Sequence, residues 1–221
     1  MKYENNFIET LVSVFTIENG QIKVLLLKKQ KEPYNGYWIL PGNVLYNNET
    51  LKQNVISVLD EKLGLPEVLV KQCHTFSDLE RYNQKRVLAV SYLGLIDSQT
   101  LKLKKQSRNN YESTWFNINE LPKLAYDHGR ILKCNISYLK DLLKNSEYLN
   151  LLFPSDFTLT ELQKVYEQIL DKKLDRRNFR KKIFNLNQIE ETGDKTDHKS
   201  GRPAKLYRFK KVEMKDILWF S

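Results

Sequence analysis

The spacing of apolar and polar positions divides the chain into two stretches of different character. Thr10 to Ile17 is rich in β-branched and aromatic residues and predicts a strand. Glu18-Asn19-Gly20-Gln21 then reads as a hairpin turn into a second strand over Ile22–Lys28. Val87 to Ile96 is a further β-prone run. Between them, Leu51, Val55, Val58, Leu59 and Leu63 recur at helical spacing and stop at Gly64, a residue suited to close a helix. Ile131 to Leu143 predicts a second helix. Strands and helices mixed over roughly 140 residues predict an α/β unit.

A boundary is expected near Ser146–Pro154, dividing the chain into residues 1–147 and 148–221. Beyond it the pattern becomes short helices and one hairpin. Thr158-Leu159-Thr160-Glu161 is a capping box, in which the hydroxyl and the carboxylate each satisfy a backbone amide. The helix it opens places Leu162, Val165, Tyr166 and Ile169 on one face. Lys172-Lys173-Leu174 makes a short connection, and Asp175 caps a second helix. Two short helices joined by a tight turn predict a helix-turn-helix. Gln188–Thr192 and Lys205–Phe209 then form a hairpin around a polar loop, the order of a winged helix.

Charge sharpens this picture. The formal net charge is +9, and from Asp175 to Lys211 there are 12 Lys and Arg against 5 Asp and Glu. A surplus concentrated in one short stretch points to nucleic acid. On the second helix Phe179, Ile183 and Leu186 are placed to pack inward, while Arg176, Arg177, Arg180 and Lys181 point elsewhere. That division suits a recognition helix, whose apolar side fixes it and whose cations meet phosphates and base edges. Lys199, Arg202 and Lys205 of the hairpin are the matching candidates on the wing. A solvated basic face, or an RNA- or protein-binding appendage, is the competing reading. No apolar run is long enough to cross a membrane, and the first residues lack the apolar segment of a signal peptide. Cys73 and Cys134 are too few for a disulfide framework or a four-ligand zinc site. A cytoplasmic protein without metal or cofactor is expected.

Lys23–Lys29 followed by Pro33–Gly42 resembles the approach to a Nudix motif, whose pattern is G-x5-E-x7-R-E-U-x-E-E-x-G-U with U aliphatic. In register, Asn43 replaces the first Gly and Glu49 is retained. Ser57 and Val58 replace Arg-Glu, Glu61 and Lys62 stand for the Glu pair, and Gly64-Leu65 closes the motif. The family uses those glutamates to hold divalent cations. Their loss predicts a chain that binds rather than hydrolyses. Lys28, Tyr34, Trp38, Asp78, Arg81 and Arg86 are the candidates for binding a nucleotide or sugar metabolite, by stacking or by pairing with phosphates.

The order of these parts resembles the Nudix-related transcriptional regulators of the NrtR type. The likeness rests on Pro33–Gly42, Thr75–Asp78 through Arg86, Ala125–Leu132 and Gly201–Phe209. It implies a Nudix-like α/β/α sandwich with a C-terminal winged helix-turn-helix, working as a homodimer on a palindromic double-stranded DNA operator. It also implies a small-molecule effector such as ADP-ribose, in control of NAD metabolism. Alternatives are a sugar-responsive regulator of carbohydrate use and an active Nudix pyrophosphatase.

Overall fold

The computed structural model describes residues 6–65, 68–82, 85–97, 112–144, 146–153, 156–196 and 203–210. Strand β1 (Phe7–Glu18) is the spine of the first unit. It runs parallel to β6 (Val87–Leu95) and antiparallel to β2 (Gln21–Lys28) and to the short β4 (Gly42–Val44). β5 (Leu69–Phe76) adds beyond β6, while β3 (Trp38–Ile39) and β7 (Ser113–Asn117) pair with β2, giving a seven-stranded mixed sheet. The predicted hairpin forms as expected: Asn19 and Gly20 take φ of 53° and 72°, left-handed values whose twist suits the strands they join.

Successive side chains of a strand face opposite ways, and β1 uses both faces. Leu11, Phe15 and Ile17 pack toward helix α2 (His128–Leu143), against Ile131, Leu132 and Leu139. Val12 and Val14 pack on the other side with Val55, Val58 and Leu59 of α1 (Leu51–Ser57) and the turn of π-helix that continues it through Lys62. Each layer is also pinned by a buried amide. Asn135 of α2 donates to Ser13 Oγ at 2.9 Å and accepts from Ser91 Oγ at 3.0 Å, tying the helix to both central strands. Asn54 of α1 is bonded to Thr10 of β1 in the same manner. Thr50 and Gln53 form a capping box at the start of α1, and Gly64, with φ 64°, ends the helical segment by donating to the Asp60 carbonyl at 2.9 Å.

The second unit comprises α3 (Ser146–Leu152), β8 (Phe157–Thr158), α4 (Leu159–Leu170), α5 (Arg176–Asn185), β9 (Ile189–Lys195) and β10 (Lys205–Phe209). Its strands pair in the order β8-β10-β9. The Thr158 capping box is present, with Thr158 Oγ1 accepting from the Glu161 amide at 3.2 Å and Glu161 Oε2 accepting from the Thr158 amide at 2.8 Å. Asp175 caps α5 by accepting from the Asn178 amide at 2.9 Å. Between the helices, Glu167 accepts from the Leu174 amide at 3.0 Å and from Gln163 at 3.1 Å. These bonds, the Leu174 one foremost, hold its carboxyl below the usual range.

One expectation changes. Leu186 does not pack inward: it is the C-terminal cap of α5, where the last turn has left the core, and it is 48% exposed. At the expected boundary near Ser146–Pro154, α3 buries Leu149 and Leu152. One apolar cluster runs from Ile17, Ile22 and Val24 of the first unit to Phe157, Leu162, Val165 and Ile169 of the second. Gln168 of α4 bridges the same junction, accepting from the Ile22 amide at 3.1 Å and donating to the Gly20 carbonyl at 2.9 Å.

Candidate functional site

Helix α5 is anchored by Phe179 and Ile183, both buried, and the helical period therefore turns Arg176, Arg177, Arg180 and Lys181 to solvent. None of these four makes an ion pair or side-chain hydrogen bond among the described residues. Arg176 and Arg180 line a cleft of about 520 Å³ together with Lys195 and Lys205 of the hairpin and with Thr158, Thr160 and Gln163. Lys205 is steadied by Glu191 at 2.9 Å, and that contact holds its ammonium pKa above the usual range. Arg177 and Lys181 lie on the helix outside the cleft. Lys199 and Arg202 lie outside the described residues.

A second concavity, of about 470 Å³, opens where the start of β1, strand β4, the N-terminus of α2 and the residues Arg81, Tyr82, Lys85 and Val87 converge. Its depth is set by Leu11, Leu40, Arg81 and His128. The Arg81 side chain, 4% exposed, binds Asp127 in a bidentate fashion at 2.7 and 3.0 Å, Glu9 at 3.0 Å and the Val87 carbonyl at 3.3 Å. A guanidinium suits this role because its planar fork meets a carboxylate with two parallel bonds. Burial raises the Glu9 carboxyl pKa, with the Arg81 bond acting in the opposite direction.

His128 is buried, and burial pushes its pKa down to about 4, so the ring is neutral near pH 7. Its Nδ1 accepts from the Leu40 amide at 3.0 Å. The ring proton therefore resides on Nε2, an N–H donor at a residue that lines the cavity. Lys29, Tyr82, Lys85 and Tyr126 form the outer wall. Tyr82 and Tyr126 stack with centroids 5.6 Å apart. Beyond them a neighbouring cavity of about 480 Å³ shares Arg81, Tyr82, Tyr126 and Asp127 and adds Pro33, Tyr34 and Glu80.

Of the six effector candidates read from the sequence, Arg81 and Tyr34 meet in this double cavity. The other four lie outside both cavities. Lys28 pairs with Glu112 at 3.0 Å and lies over the Trp38 ring, itself edge-on to Phe116 at 4.7 Å. Asp78 pairs with Arg130, and Arg86 donates to the Asp78 carbonyl at 2.9 Å. Sequence reasoning missed Glu9, Asp127 and His128. The Asp127-His128-Gly129-Arg130 run was the available signal, since polar residues clustered at a helix start merit scrutiny; Glu9, at the edge of a β-prone run, carried none.

The residues at the Nudix motif positions are engaged differently. Val58 is in the core, and Glu49 accepts from the Tyr46 amide and from Asn54 at 2.8 and 2.7 Å. Lys62 donates to the Gly42 carbonyl at 2.6 Å, and its burial lowers its pKa. Among the described residues no group of three or more His, Cys, Asp or Glu is placed to hold a metal ion. An apolar side chain and an ammonium do not fit a divalent-cation cluster. No helix among the described residues is long and apolar enough to cross a membrane.

Comparison with known proteins gives matches across most of the chain. The NUDIX domain model matches residues 9–133, and the model described as NrtR DNA-binding winged helix domain matches residues 149–209. The chain is 30% identical over 202 residues to the ADPR responsive transcriptional repressor NtrR of Acinetobacter baylyi, covering 90% of this chain and 80% of that protein. It is 28% identical over 127 residues to an ADP-ribose pyrophosphatase of Methanocaldococcus jannaschii, covering 58% of this chain and 73% of that one. Shewanella oneidensis NrtR, solved in complex with a 27mer DNA, superposes with a TM-score of 0.69 at 27% identity, over 92% of this chain and 93% of that one.

Proposed function

Because the chain belongs to the Nudix-related transcriptional regulators of the NrtR type, we propose that it is an ADP-ribose-responsive repressor that reads an operator through its winged helix. Residues 1–147 sense the effector and residues 148–221 hold the DNA. The observation that carries this reading is the basic cleft that Arg176 and Arg180 line with Lys195 and Lys205, without carboxylates of their own on the helix side. Cations left unpaired beside a helix anchored by Phe179 and Ile183 are placed to meet phosphates and base edges. Arg177 and Lys181, exposed on the same helix, add to these cations, and Lys199 and Arg202 are further proposed contacts to the DNA. A homodimer doubles the number of base contacts and suits a palindromic operator. The protein acts in the cytoplasm, where its DNA is.

The Nudix-like unit supplies a binding cavity rather than a hydrolytic centre in this proposal. The likeness to an ADP-ribose pyrophosphatase favours the opposite reading, and Val58 and Lys62 weigh against it. Binding of the effector alters operator affinity only if it favours one arrangement of the two units over the other. The test is fluorescence anisotropy of the full chain on its own upstream region against a scrambled duplex, with and without ADP-ribose. Specific binding is expected, together with no release of AMP from ADP-ribose in Mg²⁺. Equal affinity for the scrambled duplex would overturn the regulator. Rapid AMP release would restore the enzyme.

A further inference from the structure

The polar groups of the effector cavity are sorted by depth, and the sorting gives its ligand a direction. We infer that the cavity admits the hydroxyl-bearing end of a sugar phosphate first, with the phosphates held at the outer wall by Lys29 and Lys85. This deepens the effector reading above and rests on it.

The inner part holds two carboxylates and one guanidinium. The side chains of Glu9, Asp127 and Arg81 are 24%, 18% and 4% exposed. All but one of the Arg81 N–H groups are already committed, to Glu9, Asp127 and the Val87 carbonyl. A phosphate pushed this deep would confront carboxylate lone pairs with few donors to answer it, and shielding from water makes that repulsion stronger. A sugar hydroxyl is different, because it donates and accepts at once. It can donate to a Glu9 or Asp127 oxygen and accept from the Nε2 proton of neutral His128.

The outer wall has the opposite chemistry. Lys85 lies with its ammonium 4.7 Å from the Phe7 ring, and Lys29 with its own 5.9 Å from that of Tyr126. Both are thus oriented by aromatic faces and not by carboxylates, since neither forms an ion pair among the described residues. Such ammonium groups are free to take phosphate oxygens. The stacked Tyr82 and Tyr126 rings separate this entrance from the neighbouring cavity at Tyr34, which offers an aromatic surface to the rest of a longer ligand.

Isothermal titration of the full chain with ADP-ribose and with ADP tests the direction, since ADP lacks the terminal sugar. ADP is expected to bind at least about tenfold more weakly, the loss of one or more hydrogen bonds to a charged partner. E9Q should narrow that ratio, whereas K29E combined with K85E should weaken both nucleotides and leave the ratio in place. Thermal melts monitored by circular dichroism check that each variant is folded, and the wild-type ratio stands without them. Equal affinity for ADP and ADP-ribose in the wild type overturns the inference. If neither nucleotide binds, it is the ADP-ribose reading that falls, and ribose 5-phosphate against inorganic phosphate puts the same question. A tenfold preference for the sugar phosphate would then uphold the direction, and no preference would overturn it.

Discussion

The two polar regions of the molecule hold their cations in opposite ways. On α5, Arg176 and Arg180 stand in solvent without partners, and only the apolar side of the helix is fixed. In the cavity, Arg81 is sealed between Glu9 and Asp127 and has almost no donor left. An unpaired exposed cation costs little to maintain and is available to a polyanion. A sealed one is scaffold, which holds two carboxylates in place for something else to use. A basic residue in a pocket is not thereby a phosphate ligand.

Substitutions can break this contrast, beginning with the anchor of the reading helix. Phe179→Ala should lower stability by about 3–5 kcal/mol, the usual range for a buried phenylalanine, as followed by urea denaturation. Reversing the unpaired charges acts on binding instead. Arg176→Glu with Arg180→Glu should weaken operator binding at least about 100-fold and flatten its salt dependence, while ADP-ribose affinity stays within about twofold. Loss of both affinities together would mean that the two regions are not separable.

A pH series addresses the sealed region. The unfolded chain protonates His128 near pH 6.5, whereas the native ring resists protonation until about pH 4. The stability that this histidine contributes is therefore complete above pH 6.5 and lost as pH falls toward 4. Relative to pH 7, the loss at pH 4.5 should be about 2–3 kcal/mol larger in the wild type than in His128→Gln, by chemical denaturation at each pH. An identical pH profile for the two would show that the ring is not held neutral.

The smallest effect concerns the junction. Gln168→Leu leaves the Ile22 amide and the Gly20 carbonyl without their bridge, at about 1–2 kcal/mol. Glu9 lies on strand β1, which leads directly into the hairpin turn at Gly20, so this bridge ties the strand that lines the cavity to α4. Anisotropy with and without ADP-ribose should find the effector response reduced more than either binding constant alone.

The contrast also separates what the sequence discloses from what it does not. The reading unit is built from local features: its capping box, its turn and its anchor residues are each defined by residues a few positions apart, so periodicity and cap chemistry place them. Leu186 escaped because the helix ends under it, and a period cannot announce its own last turn. The cavity is built from the start of β1, the loop through Arg81 and the first residues of α2, which only the sheet brings together. Arg81 was legible as a candidate, but its partners depend on long-range pairing. Glu9 looked like an ordinary polar residue, and Trp38 like a stacking surface, until their neighbours were in place.

Whether a cavity in the Nudix-like unit speaks to the winged helix is decided by reciprocity. ADP-ribose affinity would be measured on the free protein and on the protein saturated with operator, alongside operator affinity with and without saturating ADP-ribose. Linkage requires the two ratios to be equal, and a coupling of about 1–3 kcal/mol makes each roughly 5- to 150-fold. Matching ratios in that range, with operator weakened by ADP-ribose, are the predicted result. Ratios of unity, with both ligands bound, would contradict the account.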